Sequence, residues 1–149
     1  MKKLNIVVIG TGMYVSGRGT DGFGTILPSI VEWKRSGNSL GKVVLVGTNG
    51  LHSKETVIKA DELFQQTGVC IDLEVLPRNN DIDLEAYKSV IKNIPKPACA
   101  IIVVPDHLHY SVARECIEAK LNILIVKPLT PTIKEGRELI QLAHKNNVY

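Results

Sequence analysis

The sequence predicts an α/β domain built on a doubly wound parallel sheet, and three observations carry the prediction. Near-continuous apolar runs of strand length recur along the chain, as expected of strands buried on both faces. Amphipathic helical patterns alternate with them, giving the order βαβαβαβαβα. Three of the apolar runs stop abruptly in glycine, proline or polar residues. In an open parallel sheet such stops fall at the carboxyl edge, where these folds bind ligands.

The first strand, Leu4–Ile9, runs into Gly10-Thr-Gly12. Further strands are predicted at Lys42–Val46, Ile71–Leu76, Ala98–Val104 and Asn122–Val126. Helical spacing places Val57, Ala60 and Phe64 on one face, and Leu84, Tyr87 and Ile91 on another. Val112, Ala113, Cys116 and Ile117 form a third stripe. Thr132 and Glu135 have the spacing of a capping box, opening a last helix through Leu139, Ile140 and Ala143. Right-handed crossovers are expected throughout. The chain of 149 residues ends where a sixth strand would begin, so a sheet cut short before that strand, lacking a following domain, is expected, the alternative being a naturally short five-stranded domain.

Composition narrows the function classes. Hydrophobic residues make up 44% and charged residues 22%, a globular balance rather than a disordered one. A net charge of +3 with scattered cations and few aromatics argues against a nucleic-acid partner. No apolar run approaches the ~20 residues of a membrane span. Met1-Lys-Lys3 precedes too short an apolar run for a signal peptide. Cys70, Cys99 and Cys116 lack zinc spacing and are expected to be reduced core thiols of a cytoplasmic protein.

Gly10-Thr-Gly12 directly after a strand lets backbone amides approach a pyrophosphate. The third small residue of the GxGxxG pattern is replaced by Val15. Further glycines at 17, 19, 22 and 24 predict an enlarged, mobile loop, with a helix starting near Thr25 and Pro28 in its first turn. The alternative is a glycine-rich surface loop without a ligand.

After the second strand, Val46-Gly-Thr-Asn-Gly50 has no acid until Glu55. An acid there would bind the ribose hydroxyls of NAD. Thr48 and Asn49 offer hydrogen bonds instead, and His52 or Lys54 could neutralise a 2′-phosphate, which tilts the reading towards NADP. A simple turn with Ser53 capping the next helix is the other reading.

Pro105-Asp-His-Leu-His109 follows the fourth strand, with Asp106 placed to cap the next helix and His109 in its first turn. Lys127, held by Pro128, closes the fifth strand. A lysine there either snorkels to solvent or acts on a substrate oxygen.

Taken in order, IGTG, VVPDHLH and IVKPLT resemble the glycine loop, the TPNxxH-type segment and the EKP motif of the Gfo/Idh/MocA oxidoreductases. The resemblance implies a Rossmann-like NAD- or NADP-binding domain of a dehydrogenase. Such an enzyme acts on a sugar, an inositol or a related polyol or cyclic compound, commonly as a homo-oligomer. By that match Gly10, Thr11, Gly12, Met13 and Tyr14 would line the pyrophosphate. Pro105, Asp106 and His109 would lie on the nicotinamide side, and Lys127 with Pro128 would be the lysine and proline of the EKP motif, Lys127 being catalytic. Val126 stands where the motif has glutamate, and Asp106 where it has asparagine. The family's second acid/base residue belongs to a C-terminal domain, so residues 1–149 alone are expected to bind cofactor without turning over substrate. Two other readings are a non-catalytic nucleotide-binding sensor or partner subunit and, more distantly, a methyltransferase. The latter gives no reason for Lys127-Pro128.

Overall fold

The computed structural model describes residues 2–149. Five parallel strands form one sheet: β1 (Leu4–Ile9), β2 (Leu40–Val46), β3 (Asp72–Leu76), β4 (Ala98–Ile102) and β5 (Asn122–Ile125), in the order β3-β2-β1-β4-β5. Six α-helices lie between and after them: α1 (Met13–Ser16), α2 (Ile26–Arg35), α3 (Gly50–Thr67), α4 (Ala86–Asn93), α5 (His109–Glu118) and α6 (Ile133–Asn146). A short 3₁₀ turn, Asp106–Leu108, leads into α5.

The alternation within β1 shows why the sheet is covered twice. Val7 and Ile9 join a core with Ile102, Ile117, Leu121 and Leu139, on the side of α4 to α6. Ile6 and Val8 join the opposite core with Leu27, Ile30, Leu45 and Leu63, on the side of α1 to α3. The central strand, apolar throughout Ile6–Ile9, is thereby consumed on both faces. The edge strand β3 is only partly buried and carries polar residues outward.

Chain order reverses direction at β1. The chain winds from β1 outward through β2 to β3, then α4 returns it to β4 on the other side of β1. The carboxyl ends of β1 and β4 are therefore the switch point of the sheet, the position of the ligand crevice in such folds.

Several local expectations are corrected. Val103 and Val104 leave the strand although Val103 N still donates to Ile9 O at 2.8 Å. Leu84 precedes α4 and is exposed, and Val57 lies on the solvent side of α3, where Ala60 and Leu63 face the core. Cys70 is exposed, so only Cys116 is a core thiol, with Cys99 intermediate. Asn49, rather than Ser53, caps α3: its side chain accepts from Leu51 N at 2.9 Å. Asp106 makes no capping bond. The Thr132–Glu135 capping box forms as expected. Tyr149 lies beside β5, its carbonyl accepting from Ile123 N at 2.6 Å.

Candidate functional site

A cavity of about 380 Å³ opens at the switch point. The ends of β1 and β2, with Ile9, Gly10, Thr11, Gly12, Gly47 and Thr48, form one part of its wall. Val103, Val104 and Pro105 after β4, with Leu84 and Tyr87 from the α4 region, form another. Arg18 and His52 supply the basic side chains of the lining. An apolar wall with a few convergent polar groups is the usual composition of a small-molecule site.

The two glycines of the first turn have different jobs. Gly10 has φ +123°, and a Cβ there would stand 2.1 Å from Val103 O. Its absence of a side chain lets the turn after β1 meet the turn after β4. Gly12 caps α1 with extended backbone, and a Cβ there would meet nothing within 4 Å. Gly12 is therefore not required by packing, and the space beside it suits a ligand. Val15 is fully buried in the core beside α2, which explains why this position is not the glycine of the usual pattern.

The enlarged loop is closed on itself rather than loose. Gly17 ends α1 in the left-handed region, at φ +74°, and a Cβ on it would strike Gly22 O at 2.0 Å. Thr20 bonds Gly17 O through both its N–H and its hydroxyl, and Thr25 N donates to Tyr14 O at 2.7 Å. The carbonyl of Thr11 gathers the turn together. It accepts from Arg18 Nε at 3.2 Å and from Thr56 Oγ1 of α3 at 3.3 Å.

Of the site residues singled out in the sequence, Gly10, Thr11, Gly12, Thr48, His52 and Pro105 line the cavity. Met13 and Tyr14 are exposed on α1, Asn49 is engaged as a cap, and Asp106 and His107 are exposed on the 3₁₀ turn. Lys127 and Pro128 lie past β5, exposed and outside the cavity wall. His109 is fully buried at the start of α5. Its Nδ1 lies 2.6 Å from Pro128 O and its Nε2 2.9 Å from Val104 O. The ring thus ties the turn after β4 to the turn after β5, holding the backbone on which Pro105 and Lys127 sit. A neutral imidazole has one N–H and donates to one of these carbonyls; a doubly protonated ring donates to both.

Sequence reasoning missed Arg18, Leu84 and Tyr87 as wall residues. Arg18 is the one cation of the Gly17–Gly24 segment, the only signal that could have marked it. The phenol of Tyr87 is held well above its ordinary pKa by burial, reinforced by Glu115, and so stays protonated. Among the described residues no group of His, Cys, Asp and Glu side chains has metal-site geometry, and no helix is long and apolar enough to cross a membrane.

A doubly wound sheet with a glycine turn and a cavity at its switch point defines a dinucleotide-binding class of domain. Comparison with known proteins narrows the class. Residues 41–149 match the oxidoreductase family with an NAD-binding Rossmann fold, Gfo/Idh/MocA, and the chain belongs to that family. The match begins within β2 and leaves the enlarged glycine loop outside it. An uncharacterized oxidoreductase of Schizosaccharomyces pombe is 38% identical over 93 residues, 62% of this chain and 21% of that protein. The scyllo-inositol 2-dehydrogenase (NADP(+)) IolW of Bacillus subtilis is 34% identical over 58 residues, 39% of this chain and 16% of that one. Among solved structures, an NAD-binding oxidoreductase from Klebsiella pneumoniae superposes with a TM-score of 0.66 at 17% identity, covering 99% of this chain and 33% of that chain. KijD10, a 3-ketoreductase from Actinomadura kijaniata solved with NADP, gives 0.63 at 14% identity, covering 99% and 37%. The chain thus spans about a third of the length of these structures and about a fifth or less of the curated relatives. It is an NAD-binding Rossmann domain of the oxidoreductase family.

Proposed function

We propose that this chain is the cofactor-binding part of an enzyme that transfers a hydride between NAD or NADP and a sugar, an inositol or a related polyol or cyclic substrate. The carrying observation is topological: β1, β4 and β5 are adjacent and parallel, so Gly10–Gly12, Pro105 and Lys127 arrive at one edge of the sheet. The residues present fit a dinucleotide. Gly12 leaves open space beside the first turn, Thr48 stands at the end of β2, and Leu84 and Tyr87 give an apolar wall.

Bound cofactor would supply the hydride donor or acceptor. Lys127 would do the proton chemistry from the turn after β5. In reduction its ammonium donates a hydrogen bond to the substrate carbonyl, stabilises the alkoxide charge that grows as hydride arrives and gives that oxygen a proton from Nζ. In oxidation the neutral amine accepts the hydroxyl proton as hydride leaves. His109 positions this turn from below through Pro128 O. Substrate selection and a second acid/base group fall, in this reading, outside residues 1–149, so residues 1–149 alone bind cofactor without turnover. Leu124, Leu129, Ile133 and Ile140 are exposed along β5 and α6, an apolar edge suited to a further domain or another copy of the chain.

The test is Lys127→Ala in the active protein. Turnover should fall about a hundred- to ten-thousand-fold while cofactor affinity stays within a few-fold. Unchanged turnover would remove Lys127 from the mechanism and favour the non-catalytic nucleotide-binding reading.

A further inference from the structure

The closed glycine loop delivers an arginine to the adenosine end of the crevice. Arg18 lines the main cavity with Thr48 and His52, and also an adjoining recess bounded by Glu55 and Lys59 of α3. Its side chain is anchored at one point only, where Nε donates to Thr11 O at 3.2 Å. Its outer nitrogens are held loosely. Nη1 lies 3.7 Å from Glu55 Oε2, and that carboxylate is 57% exposed. A long pair to a solvated carboxylate contributes little and exchanges readily for a better anion.

The surroundings lack what an unphosphorylated ribose normally finds. In doubly wound folds an acid at the end of the second strand binds the ribose hydroxyls and so selects NAD. Here that position holds Gly47, Thr48 and Asn49. Asn49 is already committed to capping α3. Lys54, the other cation near this end in sequence, is turned away to Asn80 Oδ1 at 2.9 Å. That leaves Arg18, Thr48 and His52 in the lining of one cavity.

We propose that Arg18, with Thr48 and His52, forms a site for the 2′-phosphate of NADP, and that the protein selects NADP over NAD through it. The inference rests on the reading of the cavity as a dinucleotide site. A planar guanidinium presents two parallel N–H donors to a phosphate, Thr48 adds a hydroxyl and His52 a ring N–H. The phosphate replaces Glu55 as the partner of the outer guanidinium nitrogens, while Nε keeps its bond to Thr11 O. The preference thus comes from the enlarged loop, the segment in which this chain departs most from the glycine-loop pattern.

Calorimetric titration of this chain and two variants with NADPH and NADH tests it. The parent should bind NADPH at least tenfold more tightly than NADH. Arg18→Ala should weaken NADPH about 10- to 100-fold and leave NADH within about twofold. Glu55→Gln, which frees the guanidinium without touching its anchor, should tighten NADPH selectively, and it serves where Arg18→Ala fails to fold. Equal affinity of the parent for the two dinucleotides overturns this inference and leaves the dinucleotide site standing. Equal loss of both in Arg18→Ala, or no loss, assigns Arg18 to holding the loop and overturns it also. Binding of neither by the parent overturns both readings.

Discussion

His109→Ala separates a structural role from a catalytic one. The ring is fully buried, and both nitrogens lie against main-chain carbonyls, Pro128 O at 2.6 Å and Val104 O at 2.9 Å. Removing it strands at least one carbonyl group, at a cost of about 1–3 kcal/mol when left without a partner. It also leaves a cavity the size of the ring. Water entering that cavity recovers part of the loss, which brings the expected destabilisation to about 3–5 kcal/mol. For a domain of this size that corresponds to a fall in Tm of about 10 °C. The control is two residues away. His107 is exposed on the 3₁₀ turn, and His107→Ala should stay within about 0.5 kcal/mol of the parent. Thermal unfolding followed by far-UV circular dichroism reads both. Equal Tm values for the two variants would refute the clamp between the turns after β4 and β5.

Two further predictions concern groups away from the crevice. Hydrogen bonds from Lys42 and Arg78 hold the Glu74 carboxyl below its ordinary value of 4.5. The folded pKa is the lower one, so the pair stabilises the fold above the unfolded value and this contribution is lost as pH falls through the folded value. Glu74→Gln should cost about 0.5–1 kcal/mol at pH 7 and nothing below that window, measured by urea unfolding at both pH values. The thiols should divide sharply: Cys70 is exposed, whereas burial, reinforced by Glu115, pushes Cys116 up to about 12. A disulfide reagent at pH 8 should label Cys70 at once and Cys116 only on unfolding; prompt labelling of Cys116 would contradict its burial.

How far the sequence could be read depended on what each signal reports. Apolar runs such as Ile6–Ile9 identify strands covered twice because no position in them tolerates water, and both cores bear this out. Helical stripes report apolarity without saying what covers it. In Leu84, Tyr87 and Ile91 the stripe divides: Ile91 enters the core, while Leu84 and Tyr87 line the cavity. Glycines posed the harder problem. Gly10, Gly12 and Gly17 look alike in sequence, yet one serves a close approach of two turns, one leaves open space and one folds the loop back. Only the contacts of Val103 and Gly22, distant in sequence or across the loop, distinguish them. The same holds for His109, whose partners lie 5 and 19 residues away in other turns.

The most direct test of the dinucleotide site uses Gly12. Its backbone is extended, and a Cβ there has no protein atom within 4 Å, so Gly12→Val should fold with a loss of about 1 kcal/mol or less, attributable to the helix cap. In the proposed reading the same side chain would fill the space taken by the pyrophosphate. Calorimetric titration of parent and variant with NADH and NADPH should show binding to the parent and its loss, at least a hundredfold, in the folded variant. Undiminished binding to Gly12→Val would contradict the placement of the cofactor at the end of β1.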